Sequence, residues 1–245
     1  GATGGNASVT VTNTLTSCSN SNSVAVSVTS LPTAFNVTPA GNNAICLTNA
    51  AGTNNTYQIG LSGSQTGTNY HLFNGTNAVS TPVAGTGAAL SPATWLITTT
   101  STGTFTYTIQ ATSTACSGLP VTMTGSSIWT VNPNPAPAIT GSNNVCASST
   151  ITYSTPANTG SNYSWTITGG TPTTATASSV TVTWGTGASG TVVVTETISA
   201  TGCARTTPTM NVTINALPTP TITGNATVCV GTTQTYSTGT FATYN

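Results

Sequence analysis

The chain has 245 residues but only one Lys or Arg, one Asp or Glu and one His, for a formal net charge of zero, where a soluble domain ordinarily carries about a quarter charged residues. This balance excludes an electrostatic footprint for nucleic acid or anionic lipid, and a single carboxylate cannot supply the several oxygens of a calcium site. Low charge does not make the chain greasy, since the apolar fraction is 36%, and no uninterrupted apolar run approaches the roughly 18 residues of a membrane span.

In chain order, the first elements are a strand-like run from Ser8 to Thr16, a turn at Cys18 and a second run that reaches Leu31-Pro32. Val and Thr alternate here with period two, the pattern of half-buried strands. Gly1-Ala2-Thr3-Gly4-Gly5 has neither a basic start nor an apolar stretch, so no signal peptide is read there. The chain is expected to begin after processing or partway through something longer. Residues 1–31 are read as the C-terminal part of an immunoglobulin-like module.

Residues 32–134 are read as a whole Ig-like module. It passes through Val37-Thr38-Pro39, Ile45-Cys46-Leu47, Tyr70-His71-Leu72 and Ser91-Pro92-Ala93-Thr94-Trp95, then the run Thr104–Thr112, Cys116 and Trp129. Residues 135–217 are read as a second module with strands at 137–140, 144–154, 162–168, 178–184, 191–199 and 206–215, separated by glycine turns. Proline joints at Leu31-Pro32, Asn132-Pro133-Asn134-Pro135 and Leu217-Pro218 predict an extended string of modules. Residues 218–245 open a further module.

A repeat ties these parts together. Pro135, Pro137, Ile139, Gly141, Val145, Cys146, Tyr153 and Ser154 recur as Pro218, Pro220, Ile222, Gly224, Val228, Cys229, Tyr236 and Ser237, each at an offset of 220 − 137 = 83 residues. Such a register identifies one supersecondary unit used repeatedly, and modules of this length with many short strands predict an all-β array of β-sandwiches. Tyr244 aligns with Tyr163, so the chain stops just before a counterpart of Trp165. Each end is therefore expected to carry half a sandwich, completed by a longer covalent array or by strand exchange with another copy.

The run Tyr163-Ser164-Trp165-Thr166-Ile167-Thr168-Gly169-Gly170, through Val180-Thr181-Val182-Thr183-Trp184-Gly185 to Gly202-Cys203, resembles a known family, as does Leu217-Pro218-Thr219-Pro220-Thr221-Ile222-Thr223-Gly224 with Val228-Cys229-Val230-Gly231. They resemble the PKD-like and Ig-like modules tiled through giant secreted surface proteins of Bacteroidota, gliding-associated adhesins among them. The match is close over 135–236 and looser over 32–134. The resemblance implies cell-surface adhesin or filament material exported by the type IX route. The Trp-x-Phe-Gly-Asp-Gly signature of PKD domains proper is absent, since Trp165 leads to Gly169-Gly170 with no Asp.

The residues that could carry chemistry are few. A serine-type triad would need His71 with Glu196, and these fall in different modules; His71 is read as an outward strand residue. No catalytic residue, metal ligand or cofactor is expected, because the cysteines are never fewer than 229 − 203 = 26 residues apart and lack zinc-ligand spacing. Glu196 and Arg205 are read as a cross-strand pair beside the Cys203 turn. Tyr153, Tyr163, Trp165 and Trp184 fall at core-like positions. Trp95 and Trp129 lie outside the repeat pattern and are the candidate ligand aromatics for sugar rings.

Six cysteines, one early and one late in each module, suggest an oxidising compartment. The natural pairs are Cys46–Cys116 and Cys146–Cys203, leaving Cys18 and Cys229 for bridges between modules or chains. An Ig-like strand order places each early cysteine at the pole opposite its late one, which conflicts with the close approach a disulfide needs. The function expected is a structural or adhesive segment of an extracellular repeat protein, with self-association or continuation of the same chain as its partner. The alternative is a carbohydrate-binding adhesive module.

Overall fold

Where Val, Ile, Tyr and Trp alternate with Thr and Ser, the apolar set turns to one side of an extended chain and the hydroxyls to the other. The computed structural model, which describes residues 4–47 and 55–240, turns this alternation into strands throughout, with no helix among the described residues. Tyr244 lies outside them. The chain divides into two units, residues 1–134 and 135–245.

The first unit opens with β1 (Gly5–Thr12) and β2 (Ser19–Val26), an antiparallel hairpin exposed along its whole length. The sandwich that follows contains β3 (Val37–Thr38), β4 (Gly41–Cys46), β5 (Asn55–Leu61), β6 (Thr68–Asn74), β7 (Asn77–Ala78), β8 (Val83–Ala84), β9 (Leu90–Thr99), β10 (Gly103–Ser113), β11 (Val121–Thr122) and β12 (Ser127–Asn132). One sheet runs β4-β12-β10-β6-β7, with β11 on β10 and β8 on β6; the other runs β3-β5-β9. Between them lie Val37, Tyr57, Ile59, Leu61, Tyr70, Leu72, Trp95, Tyr107, Ile109 and Val131.

The second unit repeats the plan with β13 (Asn144–Cys146), β14 (Thr150–Ser154), β15 (Ser161–Thr168), β16 (Gly170–Thr171), β17 (Thr174–Ala175), β18 (Ser179–Trp184), β19 (Ser189–Ile198), β20 (Ala204–Thr206) and β21 (Met210–Asn215). The larger sheet is β13-β21-β19-β15-β17 with β20 on β19, and the smaller is β14-β18-β16. In both sandwiches an early strand lies parallel to the closing one, β4 on β12 and β13 on β21, while the other strand pairs are antiparallel. Two packed sheets closed in this way form an Ig-like β-sandwich. A last pair, β22 (Ile222–Thr223) and β23 (Ser237–Thr238), ends the described chain.

The strand read at 144–154 is two strands in two sheets. Ser148 adopts a positive φ of 62°, its N–H donates to Trp184 O, and the Ala147 N–H donates to Asn215 O. These bonds hold the chain as it crosses from β13 to β14. The strand read at 206–215 also breaks, between β20 and β21. Pro208 has no N–H to give there, and Thr207 closes the gap by donating its N–H to Val194 O and accepting from Val194 N–H on Oγ1.

The same local device appears at both copies of the 83-residue repeat. Tyr153 Oη donates to Ser142 O at 2.6 Å and Tyr236 Oη to Asn225 O at 2.8 Å. Thr140 Oγ1 meets Ser154 Oγ at 2.7 Å, and Thr223 Oγ1 meets Ser237 Oγ at 2.8 Å. Ser149 and Thr232 donate side-chain hydroxyls to Cys146 O and Cys229 O. Only the surroundings differ: Tyr153 is 0% exposed and Tyr236 55%, Val145 5% and Val228 51%.

Candidate functional site

The strand registers decide the cysteine question within each unit. Cys46 lies opposite Asn132 on β12, whose neighbour Val131 faces Gly103 at the start of β10. Cys116 follows Ser113 at the other end of β10. Ten residues of strand at ~3.3 Å each separate them by about 33 Å, far beyond the ~7 Å limit between disulfide Cα atoms. Cys146 likewise faces Asn215, beyond the pairing of Thr213 with Ser189, whereas Cys203 follows Ile198 at the far end of β19. Cys116 and Cys146 are free thiols, so neither expected intramodule bridge forms. Cys46 is disulfide-bonded and so is Cys203, while Cys18 and Cys229 are exposed thiols.

Glu196 and Arg205 do face each other in the β19–β20 register, but they are not an ion pair. Glu196 is 1% exposed. Its Oε1 accepts from Asn158 Nδ2 at 2.8 Å while Oε2 has no hydrogen-bond partner, and Arg205 is exposed. The carboxylate thus ties the 155–160 loop to β19 instead of bridging the hairpin. The neighbouring Tyr163 ring, opposite Glu196 on β15, pins the same loop by donating to Pro156 O and accepting from Asn158 N–H.

His71 is half-buried on β6 between Tyr70 and Leu72, its ring 6.5 Å from that of Phe73. No group of three His, Cys, Asp or Glu side chains placed to hold a metal occurs among the described residues. Trp165 is fully buried and donates Nε1–H to Ala177 O at 2.7 Å. Trp184 meets Tyr153 edge-on, with centroids 5.9 Å apart.

The two candidate ligand tryptophans separate. Trp95, at 3% exposure, belongs to the core of the first sandwich, because its β9 position faces inward opposite Ile59; it is not a surface ligand residue. Trp129 on β12 is half-buried. Its ring stacks on Tyr57 with centroids 4.6 Å apart and planes 18° from parallel. Tyr57 is fixed from behind by an Oη–Oη hydrogen bond of 2.7 Å to Tyr107, which joins the two sheets. Burial, with the Tyr107 bond adding to it, pushes the Tyr57 hydroxyl well above the ordinary tyrosine range, so the phenol stays neutral. Trp129 donates Nε1–H to Ser127 Oγ. Together with Tyr57 it lines a surface cleft of about 530 Å³, completed by Thr38, Pro39, Gln58 and Pro92. Sequence spacing singled out Trp129, but Tyr57, Pro39 and Pro92 gave no signal, because they reach the cleft from other strands.

Comparison with known proteins gives one family match. Residues 132–214 match a family described as the PKD-like domain, about a third of the chain. No curated protein sequence matches. Among solved structures, chicken CNTN1 FN1–FN3 domains are 11% identical, with a TM-score of 0.31, over 84% of this chain and 76% of that one. Sidekick-1 immunoglobulin domains 1–4 are 12% identical, with a TM-score of 0.37, over 85% of this chain and 57% of that one. The Sidekick-1 domains 1–5 structure gives 12% and 0.34, over 88% and 47%. The chain carries an Ig/PKD-like module within an all-β array.

Proposed function

We propose that the chain is a structural and adhesive segment of an extracellular repeat protein, a filament, stalk or adhesin shaft, that performs no catalysis. The observation that carries this reading is the 83-residue repeat, which recurs hydrogen bond for hydrogen bond at Tyr153 and Tyr236. A sequence that reproduces one local device in successive modules is built for tiling. On the same reading, residues 1–31 and 218–245 belong to neighbouring modules of the array. Disulfide-bonded Cys46 and Cys203 fit an oxidising, extracellular setting. The family resemblance points to a Bacteroidota cell surface reached by the type IX route.

The test is the size of the native polypeptide. Denaturing electrophoresis of the protein from its source, detected with antibody to residues 135–217, should give a band far above 24.2 kDa if the modules are tiled covalently. A band at that mass from a high-molecular-weight native assembly supports strand exchange. A 24.2 kDa monomer that is fully folded in dilute buffer overturns both.

A further inference from the structure

The two sandwiches of this chain differ at one position in a way that opens a site. Val131 faces Ile45 and Ile214 faces Val145, so two residues earlier Trp129 stands where the second sandwich has Val212. Val212 is 1% exposed and belongs to a closed core. Trp129 lies against Tyr57 instead, keeps part of its surface free and lines the cleft with Pro39, Pro92, Thr38 and Gln58. A volume of about 530 Å³ falls in the ~300–1,000 Å³ range of small-molecule sites.

We propose that this cleft binds the rings of a neutral glycan, with Trp129 as the stacking platform and Gln58 and Thr38 as the hydroxyl-reading groups. This gives the adhesive reading a ligand class; it can fail while the tiled array stands, because the two are measured separately. The chemistry selects the class by elimination and by fit. The chain's single cation and single carboxylate, Arg205 and Glu196, both lie in the second unit, so a charged ligand finds no counter-charge here. The proline walls have no N–H to offer, which removes the backbone pairing that extended peptides rely on. An amide and a hydroxyl each donate and accept, as sugar hydroxyls do. The electron-rich face of an indole suits the C–H face of a pyranose, whose hydrogens carry slight positive charge. Tyr57, locked through Tyr107, holds the platform in place before any ligand arrives, which lowers the cost of ordering it on binding.

The experiment passes the 245-residue chain over columns of immobilised neutral polysaccharides (β-glucan, xylan, mannan and glycol chitin), since an uncharged chain does not migrate in a native gel, followed by calorimetric titration with oligosaccharides of whichever retards it. At least one neutral polymer should retard the chain, and Trp129→Ala should weaken binding about thirtyfold, as for the aromatic anchor of a binding site. Gln58 is exposed, so Gln58→Leu should weaken binding several-fold without moving the melting temperature; it decides the matter if Trp129→Ala proves unstable. Retardation by none of the neutral polymers, by acidic polysaccharides alone, or to an equal degree in the Gln58→Leu chain overturns the proposal. So does a proline-rich peptide that titrates the Trp129 fluorescence while sugars do not.

Discussion

Glu196 shows how far a residue's role depends on the face its strand presents. Opposite charges across a hairpin turn read as a surface pair, and the register does place Arg205 opposite Glu196. Yet the alternation that buries Val192 and Val194 on β19 also buries Glu196, and its bonded oxygen serves Asn158. The two substitutions should therefore be independent. Arg205→Ala should cost under about 0.5 kcal/mol, like other exposed changes, while Glu196→Ala should cost about 1–3 kcal/mol by removing the hydrogen bond that ties Asn158 to β19. Denaturant titration of both singles and the double should give additive losses; a coupling near 1 kcal/mol would restore the ion pair. The repeated glycine offers a second residue-scale contrast. A Cβ at Gly141 would overlap the Tyr153 ring, and φ there is +148°; Gly224 would meet Tyr236 in the same manner. Tyr153 is enclosed and Tyr236 exposed, so only the second ring can swing aside. Gly141→Ala should lower the stability of the second sandwich by several kcal/mol, and Gly224→Ala should leave its melting temperature within about a degree or two. Neither glycine's neighbour was legible in the sequence; the repeat identified the positions, and only the fold showed what each one touches.

At the scale of elements, regular alternation was legible and its interruptions were not. The run 178–184 is β18, buried at every second residue, because period-two patterning is what a one-sided core imposes. The run 144–154 carried the same signal across a sheet crossing made by Ala147, Ser148 and Ser149, where no Gly or Pro marks the turn. The crossing also sets the cysteine geometry, since it places Cys146 at one pole and leaves Cys203 at the other. Strand order alone raised that objection; it took register to turn it into a distance. The core aromatics give the prediction at this scale. Trp165 lies on β15 opposite Val194, inside a core whose buried residues run from 145 to 214, with Ile139 packed against it. Trp165→Ala should remove about 3–5 kcal/mol, close to the whole stability of a domain this size. Calorimetry should then show the second unit's transition lost and the first unit's retained, since their cores share no residue. A single cooperative loss of both would mean that the units do not fold separately.

For the whole molecule the scarcity of charge determines how stability follows pH. Acid unfolding of most proteins comes from many carboxylates that must be protonated; this chain has one carboxylate and one imidazole, so acid has little to act on. The groups that do respond are phenols. Burial raises the Tyr57, Tyr70 and Tyr153 hydroxyls above their ordinary value, with a backbone bond from Gln65 partly offsetting the effect at Tyr70 and Trp184 partly offsetting it at Tyr153. In the unfolded chain the same phenols ionise near pH 10. A raised folded pKa means that the unfolded state loses its protons first, so the stabilisation is complete below about pH 10 and falls as pH rises beyond it. Tyr57 and Tyr70 lie in the first unit and Tyr153 in the second, so both units should weaken in alkali. Urea midpoints measured from about pH 5 to 11 should stay level until roughly pH 10 and then drop. Tyr57→Phe should make the drop shallower in the first unit only, because it removes the phenol held against Tyr107 without emptying the space its ring fills. A midpoint that falls steeply below pH 5 instead would contradict this account, and a level curve through pH 11 would mean that the buried phenols are not buried in solution.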